Sequence, residues 1–149
     1  MVVRGIKIHV FAASAGKLEC LTYAHEHGCT WDSYTPISAA KSGHLSCLRY
    51  AFENKCPWNG PLICSTAASK GYLDCLTYTH EQTNCEWDIN TANIAAENGH
   101  LLCLKYAVGN KCEYNSTTCT SAVINVHLDS LKYLFEQKNC EWDEDVCIV

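Results

Sequence analysis

Twelve cysteines in 149 residues are the side chains with most chemistry to offer. At such a density a chain holds disulfides, a metal or reactive thiols, or it uses cysteine as a small apolar side chain. Nine of the twelve recur at two fixed points: Cys20, Cys47, Cys75 and Cys103, then Cys29, Cys56, Cys85, Cys112 and Cys140. If each series sits on stacked helices, its members lie about one helix diameter apart, roughly 10 Å. A disulfide needs Cα atoms within about 7 Å, so neither series can bridge along itself. A structural zinc site wants short Cys-x2-Cys pairs, which are absent. The step from Cys20 to Cys29 spans about 13 Å of helix, too far to share one ion. The placement therefore implies reduced, buried thiols, no metal and no cofactor. Zinc held between repeats and a redox role are the alternatives. Cys64, Cys119 and Cys147 stand outside the two series, and Cys147 could form an intermolecular disulfide on oxidation.

The remaining reactive types follow the same pattern. His44 and His100 share a position with Tyr72 after a glycine, while His25 and His80 alternate with Phe52, Val108 and Phe135. A site that accepts Phe and Val is a packing site. No Ser/His/Asp or Cys/His set stands apart from the pattern, so no nucleophilic catalysis is indicated. Glu144 and Asp145 are the acidic first turn of a helix rather than an acid–base couple. No enzyme is expected.

The elements that carry these residues repeat. Leu18, Leu45, Leu73, Leu101 and Leu128 recur every 27 or 28 residues, the signature of a stacked solenoid. The expected repeats are 6–32, 33–59, 60–88, 89–115 and 116–143, with a partial sixth at 144–149. Each reads as helix, tight turn, helix, loop. On the second helix of the first repeat, Leu18, Cys20, Leu21, Ala24 and His25 fall in one apolar arc of about 160°, suited to a helix between two neighbours. Gly16, Gly43, Gly71 and Gly99 mark the turns, and Val126 in the fifth predicts a remodelled one. Gly28, Asn54, Asn84, Asn110 and Asn139 are expected to end the second helices in the left-handed conformation. The loops close on Asp or Asn, good N-caps for the next helix, and Pro61 suits a first turn.

An aromatic column, Trp31, Trp58, Trp87, Tyr114 and Trp142, runs through the loops. It reads first as packing, each ring lying across the next loop, and second as a stripe that anchors a partner.

Tyr34-Thr35-Pro36-Ile37-Ser38-Ala39-Ala40-Lys41-Ser42-Gly43-His44 resembles the ankyrin repeat, whose first helix opens Thr-Pro-Leu-His and runs through Ala-Ala to Gly-His. Asn54-Lys55-Cys56-Pro57-Trp58-Asn59 falls where that family has Gly-Ala-Asp-x-Asn. The likeness covers about residues 6 to 143. The period departs from the usual ankyrin length of about 33, and the missing residues are those of the β-hairpin finger. The Cys-x-Trp-Asp loop resembles short ankyrin-like repeats of large DNA viruses of amoebae and some protists. The resemblance implies an all-α, ankyrin-like solenoid of about five helix–turn–helix repeats without fingers. It further implies a non-catalytic protein–protein interaction scaffold, and a viral one would engage a host partner.

Specificity in such a stack lives where copies differ. The candidate partner-binding residues are Tyr34, Lys41, Leu62, Lys70, Ile89, Asn90, Glu97 and Thr117. Apolar ends, Ile6, Ile8, Val10 and Phe11 at one side and Val146 and Ile148 at the other, suggest a homodimer through the terminal repeats. Unlimited end-to-end assembly is the structural alternative. Residues 1–72 hold seven Lys/Arg against four Asp/Glu, and residues 73–149 four against twelve. That split lacks the continuous basic face nucleic acid requires. No apolar run of membrane-spanning length occurs and no signal peptide is expected, so an intracellular, reducing compartment follows, the host cytoplasm if viral.

Overall fold

The computed structural model describes residues 7–137 and Cys140. Ile6, Asn139, Trp142, Val146, Ile148 and the partial sixth repeat lie outside the described residues. Among the described residues the regular structure is all helix, joined by turns and loops, with no strand. The first helices are α1 (Ile8–Ser14), α3 (Tyr34–Ser42), α5 (Gly60–Lys70), α7 (Ile89–Glu97) and α9 (Ser116–Ile124). The second helices are α2 (Leu18–Glu26), α4 (Leu45–Glu53), α6 (Leu73–Thr83), α8 (Leu101–Gly109) and α10 (Leu128–Glu136).

Small side chains decide how the first helices meet. Ala12-Ala13, Ala39-Ala40, Ala67-Ala68 and Ala95-Ala96 are buried pairs, one per helix. With only a methyl group to accommodate, α1, α3, α5, α7 and α9 pack closely in a row. The second helices form a parallel row that packs more loosely along itself. Leu21, Leu48, Leu76 and Leu104 are completely buried in the shared core. Each contributes about 1.5–3 kcal/mol by leaving water. Cys47, Cys75 and Cys103 are buried on the same helices, but Cys20 is exposed. The apolar arc expected around α2 thus has an uncovered side, since among the described second helices only α4 packs on it.

Capping follows the sequence closely. Asn59, Asp88 and Asn115 accept from the backbone N–H groups of Leu62, Asn90 and Thr117 at 3.2, 3.0 and 3.0 Å. Asp32 Oδ1 likewise accepts from the Tyr34 N–H at 3.1 Å, although Ser33 is the residue flanking α3.

Two expectations about turns are corrected. The left-handed residue closing α4 and α8 is Lys55 (φ 58°) and Lys111 (φ 68°), not Asn54 or Asn110. Those asparagines stay at negative φ and donate side-chain N–H bonds to the Tyr50 and Tyr106 carbonyls at 2.9 and 2.8 Å. The turn at Val126 is not remodelled. Val126 adopts φ 60°, and the His127 N–H reaches the Ala122 carbonyl at 2.8 Å, as His100 reaches Ala95 at 2.9 Å. A β-branched residue there carries strain that glycine avoids.

At Gly99 two demands coincide, φ 71° and the His127 ring, whose Nδ1 would lie 2.5 Å from an added Cβ. Val126→Gly is therefore expected to stabilise the chain by about 1 kcal/mol, by relieving left-handed strain. Gly99→Ala is expected to cost about 2 kcal/mol or more. Urea unfolding followed by circular dichroism checks both signs.

Candidate interaction surface

The first turns of α3, α5, α7 and α9 form a row along one edge of the stack. Tyr34, Leu62, Asn90 and Thr117 occupy equivalent places, eleven residues before the leucine of their own repeat. All four are exposed, as are Ile89 beside Asn90 and Lys41, Lys70 and Glu97 in the last turns. Tyr34 is 58% exposed and Leu62 45%, large values for side chains of their apolar area. Two of the row are steadied by neighbours. Lys7 Nζ lies 4.4 Å from the Tyr34 ring centroid and pairs with Asp32 at 3.0 Å, while Asn90 Nδ2 donates to Asp88 Oδ2 at 3.0 Å. The Lys7–Asp32 pair is half exposed and orients more than it stabilises, contributing under about 1 kcal/mol. Lys41 and Lys70 sit at helix C-termini, where the helix dipole favours a cation. Glu97 reverses the charge one repeat on. Beside Ile89, an open groove of about 530 Å³ continues past Val108, Lys111 and Tyr114 to Gln137.

The tryptophan column is occupied with packing. His25 stacks on Trp31 and His80 on Trp87, each with centroids 4.0 Å apart, while Phe52 meets Trp58 edge-on at 5.0 Å. Each of these clusters also touches a tyrosine of the next repeat: Trp31 with Tyr50 at 6.0 Å, Phe52 with Tyr78 at 6.1 Å, Trp87 with Tyr106 at 6.2 Å. The rings thus lie against second helices rather than across the next loop as expected. Among the described tryptophans, Trp87 reaches onward to that loop, its indole N–H donating to the Asn110 carbonyl at 2.8 Å. Tyrosine at one position in all five repeats (Tyr23, Tyr50, Tyr78, Tyr106 and Tyr133) was the signal for this partner. The residues after the turn glycines act mainly by covering those glycines, and His100 adds a 3.1 Å hydrogen bond to the Ser69 carbonyl.

The two helix rows, the glycine turns and the exposed first turns match a known architecture. The crystal structure of the human ASB11 ankyrin repeat domain superposes with a TM-score of 0.75 over 87% of this chain and 68% of that one, at 18% identity. The fold is that of an ankyrin repeat solenoid. No protein-family model matches the sequence, and no curated protein matches it. The ankyrin fold is typical of protein–protein interaction scaffolds and is generally non-catalytic. Here it is built without strands among the described residues, so the exposed first turns stand at the edge that a finger would otherwise extend.

Most thiols of this ankyrin stack are buried and protonated. Burial pushes Cys56 and Cys75 up to about 12, with help from Asp32 and Asp74, and Cys103 and Cys112 up to about 11. The expectation that every cysteine is free fails at one place. Cys119 of α9 and Cys140 of the last loop are joined, their Cα atoms 6.4 Å apart. The geometric argument against bridging compared members of one series; this bond joins a series cysteine to one outside it. Among the described residues, no three His, Cys, Asp or Glu side chains converge as a metal site would require. None of the helices described is long and apolar enough to cross a membrane.

His9 is a titratable group inside the first repeat, buried at 3% exposure with its ring 5.5 Å from Trp31. Loss of water, then the charge of His25, holds its imidazole below the ordinary value of 6.5, while Asp32 pulls the other way. The unfolded chain therefore binds this proton more readily than the folded one. The site's contribution is complete above pH of about 6.5 and is lost as the pH falls through the lowered folded value. Protection of α1 amides against hydrogen exchange, corrected for intrinsic rates, is expected to fall below that pH relative to α5 and α7. His9→Phe should remove the difference.

Proposed function

We propose that the chain is a non-catalytic scaffold that grips a protein partner along the first turns of α3, α5, α7 and α9. The supporting observation is the row itself. Tyr34, Leu62, Asn90 and Thr117 stand at equivalent, exposed positions yet differ in every copy, whereas buried positions of the same helices repeat Ala, Thr and Cys. Architecture explains the constant positions and leaves the variable ones free for specificity. The row opens on an aromatic ring, continues through Leu62 and Ile89, and ends polar. Lys41 and Lys70 at the far ends of α3 and α5, and Glu97 at that of α7, suit a partner that presents acidic and then basic groups. Nucleic acid is a poor fit to that alternation. The Cys-x-Trp-Asp loops, by their resemblance to repeats of large DNA viruses of amoebae, make the partner a host protein met in a reducing cytoplasm.

The apolar first helix supports a second association. Ile8 is 47% exposed and Phe11 69%, with Val10 half-buried beside them. This face would close a homodimer, and Ile124 and Leu128 expose apolar surface towards the other end, 72% and 57%.

Peptides selected by display against the wild-type chain are expected to lose at least about tenfold in affinity for the Tyr34→Ala, Leu62→Ala double variant. Arg49→Ala and Glu81→Ala, on the second helices, should leave binding unchanged. Binding lost only in the second-helix variants would move the surface to the opposite face. For self-association, native mass spectra across a concentration series should contain a dimer that Phe11→Asp abolishes; a wild-type chain monomeric throughout would discard it.

A further inference from the structure

The third and fifth repeats share two departures from the others, and the two departures meet in space. From the repeat leucine to the loop cysteine there are eleven residues at Leu18–Cys29, Leu45–Cys56 and Leu101–Cys112, but twelve at Leu73–Cys85 and Leu128–Cys140. The same two repeats carry a cysteine nine residues before the leucine, Cys64 and Cys119, where the other three have His9, Pro36 and Ala92. Both pairs are separated by 21 residues.

The added residue redirects the loop sulfur. Where the spacing is eleven, Cys56 Sγ donates to the Asp32 carbonyl at 3.3 Å and Cys112 Sγ to the Asp88 carbonyl at 3.6 Å, each reaching the preceding repeat's loop. Where the spacing is twelve, the sulfur turns onto its own first helix. Cys85 Sγ lies 3.2 Å from Cys64 Sγ, and Cys140 is bonded to Cys119. Gly60 makes room for this, since a Cβ there would stand 2.9 Å from Cys85 Cβ. One design is therefore seen twice, open in the third repeat and closed in the fifth.

We propose that Cys64–Cys85 and Cys119–Cys140 are matched intra-repeat dithiols that close to disulfides by exchange with a low-molecular-weight disulfide of the glutathione type. In the third repeat the roles divide by access. Cys85 is half-buried and reachable, whereas Cys64 has no exposed surface. The Cys85 thiol is drawn below its ordinary value, first by the hydrogen bond from Cys64 and then by His80, whose Nδ1 is 4.0 Å away, and by Thr83. That same hydrogen bond, and then burial, push Cys64 up, so it keeps its proton until it is needed. Cys85 thiolate attacks one sulfur of the small disulfide, whose S–S bond breaks and releases one thiolate, which takes up a proton. Cys64 then gives up its proton and attacks the Cys85 sulfur, releasing the second small thiol. Two protein thiols are oxidised, and the two electrons reduce one small disulfide to two thiols.

The closed bond ties the first helix to the loop that leaves the same repeat. Leu62 and Thr117 stand two residues before Cys64 and Cys119, so oxidation would stiffen two turns of the contact row; this consequence rests on the reading of that row as the binding surface.

The closing experiment needs no partner. Fully reduced protein is incubated with oxidised glutathione, blocked with N-ethylmaleimide and digested with trypsin, which places Cys64 on fragment 56–70 and Cys85 on fragment 71–105. The two fragments are expected to be linked through Cys64 and Cys85, with the thermal midpoint raised by roughly 5–10 °C. Cys64→Ala, which installs the residue of the fourth repeat, should abolish the link and leave glutathione trapped on Cys85. Cys85→Ser should leave Cys64 unmodified, while Cys56→Ser and Cys75→Ser should retain the link. Fragments that stay unlinked in the wild type, or a link that survives in Cys64→Ala, would overturn the proposal. So would glutathione captured on buried cysteines instead of Cys85. If peptides still bind equally to reduced and oxidised protein, the staple stands and only its tie to the contact row falls.

Discussion

Close approach between neighbouring first helices is the constraint on which the rest of this molecule depends. A pair of alanines on each of α1, α3, α5 and α7 lets the backbones come together without side chains between them. No single repeat can bury that face alone, so each is stable only against its neighbours. The second helices, with Leu and Cys at the matching positions, are held further apart along their own row. Everything exposed on the first helices is what this packing leaves over. It leaves their opening turns, and the variable residues that stand on them.

The loops solve a different problem. With no strand among the described residues to extend and cover them, the repeats are joined at that edge by aromatic clusters, in which His25, Phe52 or His80 meets a tryptophan and a tyrosine of the next unit. Ring contacts of this kind are worth about 0.5–1.5 kcal/mol each beyond their buried area. Much of the tryptophan surface is thereby committed to holding repeats in register. One added residue between the repeat leucine and the loop cysteine goes with a change in which surface that cysteine meets: α4 ends at Glu53, three residues before Cys56, whereas α6 runs on to Thr83, two before Cys85. The same Cys-x-Trp-Asp letters at 29–32 and 85–88 leave Cys29 exposed and set Cys85 against Cys64.

Reading the fold from the sequence worked where the physics is local or periodic. The leucine spacing, the Asp and Asn caps and the turn glycines each act within one repeat, and their repetition multiplied the signal. It failed where the outcome depends on a neighbour. Asn54 and Asn110 looked like left-handed helix ends, yet their side chains bond the preceding turn and the lysine after each takes the strained conformation. Val126 looked like a lost turn, but the backbone hydrogen bond to Ala122 and the packing of α9 on α10 hold it in the old shape.

By itself the sequence determined the leucine period, the helix–turn–helix unit, the apolar faces and the variable positions Tyr34, Leu62, Asn90 and Thr117. Those follow from side-chain period and from turn chemistry, which are properties of short segments. Only the tertiary structure decided that these positions share one exposed edge, that the tryptophans pack against the next repeat's tyrosines, and that Cys64 meets Cys85 and Cys119 meets Cys140. Residues 21 apart are brought together by the return of the chain after a full helix pair. Their meeting depends on how far the loop turns before its cysteine, an angle set by packing rather than by spacing in the chain.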